Sequence, residues 1–98
     1  MRLKWTELAD IDLEQIEAHI TEDNGPVVAI DVVMNIIDSV QLILSEHPGA
    51  GRQGRVKSTR ELVMDGIPFI VVYRKHVSAN CIEILRVLHT AQQWPTAN

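Results

Sequence analysis

The hydrophobic pattern of this chain changes period once, and that change limits the folds open to it. Before the loop "HPGAGRQGR" (residues 47–55), apolar side chains recur every three or four residues; after it they come in short runs of strand type. Val28, Val32, Ile36, Val40 and Leu44 step by four, and Ala29, Val33, Ile37 and Ile43 widen the stripe. The β-branched content would suit a strand. A segment from residue 26 to about 45 with no turn signal is too long for one, so a helix is expected. An earlier helix is expected after Thr6, a suitable N-cap, with Glu7 and Asp10 in its first turn. Ala9, Leu13, Ile16 and Ile20 form its inward stripe, and Asp12, Glu14 and Glu17 are read as lying outside it. Asn24-Gly25-Pro26 separates the two helices and makes them an antiparallel hairpin.

Four strands complete the pattern. Arg2 to Trp5 alternates polar and apolar side chains. Val56 to Met64 is the next strand, followed by Asp65-Gly66, a dipeptide favoured in tight turns. Phe69 to Arg74 and Cys81 to Leu88 follow, separated by "HVSAN". The expected order is β-α-α-β-β-β: a two-layer α+β fold in which the helical hairpin packs on one face of an antiparallel sheet. A chain of 98 residues is read as one domain, residues 1–98, with a modest core.

Charge is unevenly distributed. Residues 1–50 carry two basic and ten acidic groups, and residues 51–98 carry seven basic and three acidic ones. The net of −4 argues against general nucleic-acid binding, while the basic second half suits an anionic partner. Cys81 is the one cysteine, so no intrachain disulfide forms; it is expected in a buried strand. The start, "MRLKWTELADIDLEQ", turns acidic where a signal peptide would turn apolar, and no uninterrupted apolar run approaches a membrane span. A cytoplasmic protein is expected. No cofactor is implied. His19, His47, His76 and His89 fall on separate elements, so no metal site is expected. "PGAGRQG" lacks the flanking strand and helix of a phosphate-binding loop.

An arginine inside an apolar strand needs a reason. Arg86 interrupts "IEILRVLH", and Arg60 does the same between Val56 and Leu62. A lone guanidinium against the helices would be costly, so each projects from the open face or pairs with an acid. In one reading Arg60, Arg86 and His89, with Tyr73 and Arg74, converge on a concave surface that holds a phosphate or an acidic partner. In the other, Arg60 and Arg86 pair with Glu61 or Glu83, and His89 caps or packs. Trp94 offers a ring that folds back onto the domain.

The ordered set "HPGAGRQGRV", "TRELV", "PFIVVYR" and "IEILRVLH", followed by Trp94-Pro95, resembles the RelE/ParE superfamily of type II toxin–antitoxin toxins. Relatives often carry glycine where this chain has Ser58 and Thr90. The resemblance implies the same α+β fold and a cognate antitoxin that binds and neutralises the toxin in a hetero-oligomer. It also implies a role in growth arrest and in plasmid or locus maintenance. The wording looks more like the ParE-like branch, which inhibits DNA gyrase, than the RelE-like branch, which cuts mRNA on the ribosome. In a gyrase inhibitor Arg60, Tyr73, Arg74, Arg86, His89 and Trp94 are candidate target-binding residues, and none is catalytic. In a metal-independent nuclease Arg60, Arg86 and His89 would carry the chemistry. An inactive relic that only binds antitoxin is the third reading.

Overall fold

The computed structural model describes residues 1–92, 94 and 95. Seven elements follow one another: β1 (Arg2–Trp5), α1 (Glu7–Asn24), α2 (Pro26–Glu46), β2 (Arg52–Gln53), β3 (Arg60–Val63), β4 (Phe69–His76) and β5 (Cys81–His89). The strands form a single sheet in the order β1-β5-β4-β3-β2.

Thr6 starts the helical layer and anchors it. Its hydroxyl oxygen accepts from the Ala9 backbone N–H and its hydroxyl donates to the Ile84 carbonyl at 2.8 Å, so one residue caps α1 and ties it to β5. Gly25 ends α1 at φ +90, a conformation that side chains rarely adopt, and Pro26 opens α2 in the next position. Ala29, Ile36, Val40 and Leu44 of α2 are fully buried. Ile36, Val40 and Leu44 meet Leu62, Phe69, Val71, Tyr73, Ile82 and Ile84 on the covered face of the sheet. By length and composition α2 is apolar enough to cross a membrane. Here one stripe of it packs in the core of a two-layer domain, while Val27, Val28, Ile30, Met34 and Leu42 are exposed, so Val28 falls outside the inward stripe expected of it.

The α+β class and the order of the helices and main strands agree with expectation, and four details differ. First, the sheet is mixed, because β1 pairs in parallel with β5 from Arg2↔Cys81 to Trp5↔Ile84. The helical hairpin and the meander lie between these strands, and such a crossover permits a parallel neighbour. Second, the loop contains β2, which pairs Arg52 with Glu61 and Gln53 with Arg60. Third, β3 begins at Arg60 rather than Val56. Ser58 sits in the left-handed region at φ +67 and the Thr59 N–H turns back to the Val56 carbonyl, so the chain cannot be extended there. Fourth, β4 runs on to His76 and β5 to His89.

Tyr73 connects the sheet to the loop after α2. Its ring is fully buried. Its hydroxyl accepts from the Gly51 N–H at 2.8 Å and donates to the Pro48 carbonyl at 2.8 Å. A Cβ on Gly51 would come within 2.7 Å of the Tyr73 ring, so only glycine lets the backbone approach this closely. Burial raises the phenol pKa, against the opposing Gly51 hydrogen bond and Arg60 charge, so the hydroxyl stays a donor. Tyr73→Phe leaves the buried Gly51 N–H without its acceptor and should cost about 1–3 kcal/mol in urea unfolding.

Candidate functional site

Strand alternation and register sort the polar side chains. Glu61, Val72 and Arg86 lie in one cross-strand row, and Val72 neighbours the core residues Val71 and Tyr73 along β4. The row therefore belongs to the face turned away from the helices. That face was expected to be partly open. In this row it is largely closed: Val72 is fully buried, Glu61 nearly so, and Arg86 part-buried.

Arg86 is held from two sides. Its Nε and Nη2 donate to the two Asp12 carboxylate oxygens at 2.7 and 3.0 Å, a forked pair. Its guanidinium carbon lies 5.5 Å from the centroid of the Trp94 ring. The Asp12 hydrogen bonds raise the Arg86 pKa, with burial opposing, so the group is always charged. Asp12 also accepts from the Val87 backbone N–H at 2.9 Å. Asp12 was read as lying outside the inward stripe of α1, but it is buried. It sits three residues after Ala9 and next to Leu13, at the margin of that stripe. An acid there, with an arginine inside an apolar strand, was the available signal for the pair.

Glu61 is the second closed centre. It accepts from the Arg55 backbone N–H at 2.9 Å, from the Arg55 side chain and from Arg52 Nη2 at 3.1 Å. Burial pushes its carboxyl up, but the hydrogen bonds from Arg55 and then Arg52 outweigh this and hold it below its ordinary value. Arg55 Nη1 also donates to the Trp94 carbonyl at 3.1 Å, so both centres grip the C-terminal segment. The Trp94 indole N–H is buried and has no partner among the described residues. The expected pairing of Arg60 and Arg86 with Glu61 or Glu83 does not occur. Glu61 takes Arg52 and Arg55, and Glu83 takes Arg74 and His76. The hydrogen bonds from His76 and then Arg74 lower the Glu83 pKa.

The expected convergence of Arg60, Tyr73, Arg74, Arg86 and His89 is not found. Arg60 and Arg74 line one cleft, with Lys75, at the end of β4. Tyr73 is in the core. His89 lies at the other end of the sheet, its Nδ1 accepting from the Ala91 N–H and its ring edge-on to Phe69 at 5.6 Å. Arg60 pairs with Tyr73 and His89 with Phe69, so they stand about 13 Å apart along β4 by the usual strand rise. His89 borders a groove of about 240 Å³ between α1 and the sheet. Ile16, Ile20, Phe69 and Val87 give it an apolar floor, and Gln15 and His19 contribute polar groups. Sequence reasoning missed Asp12, Arg55 and Lys75. Among the described residues no three His, Cys, Asp or Glu side chains gather as a metal site.

Together these features define a small two-layer α+β protein whose surface depressions include an apolar groove beside α1 and a basic cleft at the end of β4. Residues 3–94 match the model of the family described as the ParE toxin of the type II toxin–antitoxin system, parDE. A Sinorhizobium fredii protein described as "Putative toxin Y4kP" is 47% identical over 94 residues, covering 96% of this chain and 93% of its own length. A solved structure of the chromosomal ParDE TA system from P. aeruginosa superposes with a TM-score of 0.82 at 33% identity, covering 91% of this chain and 95% of that one. The chain belongs to the ParE toxin family, within the RelE/ParE superfamily.

Removing either member of the Asp12–Arg86 pair leaves the other's charge nearly buried. Asp12→Ala and Arg86→Ala should each cost about 3–5 kcal/mol in urea unfolding. The double variant should cost less than their sum, because the two act as one unit. The Glu61 carboxyl is depressed in the folded protein, so its contribution is complete above its ordinary value of 4.5 and is lost as pH falls through the folded-state value. The stability advantage of wild type over Glu61→Gln should therefore be full at neutral pH and vanish on acidification, as read by unfolding at both pH values.

Proposed function

We propose that this toxin arrests growth by binding DNA gyrase and blocking replication, and that a cognate antitoxin neutralises it in a hetero-oligomeric complex. The dispersal of the candidate nuclease residues carries this reading. RNA cleavage without a metal needs proton-transfer groups and cations around one phosphate. Arg60 and His89 stand about 13 Å apart along β4 by the usual strand rise, Arg86 is taken up by Asp12 and Trp94, and the Tyr73 hydroxyl is engaged in the core. An inhibitor needs only surfaces, which also fits the net charge of −4. Arg60 and Arg74 then belong to the target contact, Arg86 and Trp94 support the sheet, and His89 borders the groove beside α1. The antitoxin takes the groove between α1 and the sheet, where apolar side chains at Ile16, Ile20 and Phe69 suit a helical or extended segment. The match to a ParDE system supports a partner of this kind. The protein acts in the cytoplasm, where replication takes place, and serves plasmid or locus maintenance.

Purified toxin should inhibit gyrase supercoiling, and in cells its induction should stop DNA synthesis before protein synthesis. Adding the antitoxin should restore supercoiling, and Ile16→Arg should abolish that rescue without abolishing inhibition. Loss of protein synthesis first would favour an mRNA endonuclease, and loss of neither would leave an antitoxin-binding relic.

A further inference from the structure

The ladder between β3 and β4 stops at Arg60↔Tyr73, while β4 continues beside β5 as far as His76↔Cys81. Past Tyr73, β4 therefore has a strand on one side only. β3 cannot fill the vacancy, because left-handed Ser58 and the turn from Val56 to Thr59 divert the chain. A cleft of about 580 Å³ opens there, between Ser58–Arg60 and Arg74–Lys75, with Gln53 and Val77 at its margins. An unpaired strand edge in a cleft is a template for an added strand.

The charge of the cleft is as specific as its shape. Arg60 is half-buried, and its Nη1 donates at 2.9 Å to a carbonyl, that of Gly51, instead of a carboxylate. Among the described residues neither Arg60 nor Lys75 has an acid within salt-bridge distance. Arg74 shares Glu83 with His76. The opposite layer is of the other sign: residues 7–46 contain ten acids and no lysine or arginine. An acidic partner is repelled from the helices and drawn to this end of the sheet. Among the described residues no aromatic side chain lines the cleft to give the stacking platform that single-stranded nucleic acid uses.

We propose that this cleft takes an extended, acidic segment of the target protein, which adds as a strand to β4 beyond Tyr73 while its carboxylates meet Arg60 and Lys75. The inference rests on the reading that Arg60 and Arg74 face the target. It can be tested apart from that reading with a peptide alternating glutamate and threonine, titrated into the isotope-labelled full chain. Amide signals of Ser58–Arg60 and Arg74–Val77 should shift, and amide exchange beyond Tyr73 should slow. High salt should weaken the effect. A lysine–threonine peptide should do nothing, and Lys75→Glu, at an exposed side chain, should weaken binding by about tenfold. No shift, shifts centred on the α1 groove, or an equal response to the basic peptide would overturn the inference.

The supercoiling assay separates the two ideas. If wild type inhibits gyrase and both Lys75→Glu and folded Arg60→Glu inhibit equally well, the cleft is not the target contact and the inference falls alone. If wild type leaves gyrase untouched, the gyrase reading falls, and the peptide titration still decides what the cleft binds.

Discussion

The carboxylate of Asp12 holds the two layers together where the sheet has run out of strands. β1 accompanies β5 only as far as Ile84, yet β5 continues to His89. Beyond that point the outer edge of β5 would face the helices with unpaired donors, a costly arrangement away from water. Asp12 accepts the Val87 N–H in place of a neighbouring strand, and with the same oxygen and its twin it takes the Arg86 fork. The pair joins residues 74 apart in sequence and therefore fixes where α1 lies against β5. The groove beside α1 takes its width from that placement, since Asp12, Ile16 and Val87 all contribute to its wall.

On the other face of the sheet, buried charge works differently. Glu61 sits among Arg52 and Arg55, and Arg86 lies over Trp94. Arg55 and Arg86 between them hold the Trp94 carbonyl and ring, so two ion-paired centres on different strands close one segment over the row Glu61–Val72–Arg86. The segment is thus held through the Trp94 carbonyl and ring by two cations that are themselves ion-paired.

Much of this fold was legible in the sequence, for a physical reason. The stripe Val28–Val32–Ile36–Val40–Leu44 is long, and its period has one interpretation at that length. Gly25 and Pro26 act through backbone geometry that any neighbour would meet. The β3 boundary was not legible, because Val56–Met64 has strand composition throughout and only the left-handed turn at Ser58 shortens it. The parallel edge was hidden too, since strand direction at β1 depends on where the hairpin crosses and not on residues 2–5. For the site, residue type was a poor guide to role. Tyr73 has a reactive-looking hydroxyl, but its position opposite Gly51 commits it to the core. Asp12 looked like surface because most acids on helices are surface; only Arg86, far away in sequence, gives it a reason to be inside.

What distinguishes a structural cation from a free one here is whether an acid already answers it. Arg52 and Arg55 share Glu61, Arg74 has Glu83, and Arg86 has Asp12. The Arg86 charge is taken up in a nearly buried pair, and replacing it perturbs stability first; Arg52, Arg55 and Arg74 pair with their acids but stay partly open to water. Among the described residues Arg2, Lys4, Lys57, Arg60 and Lys75 stand outside this set, and of these Arg60 and Lys75 share one cleft. Their fields are uncompensated locally, and the ten acids of the helical layer lie in the other layer of the domain. A partner approaching in water meets a dipolar molecule and is oriented before contact. The paired charges build the fold, whereas Arg60 and Lys75 at the β4 end stand apart from the apolar groove beside α1, so the two depressions offer different chemistry to whatever meets them.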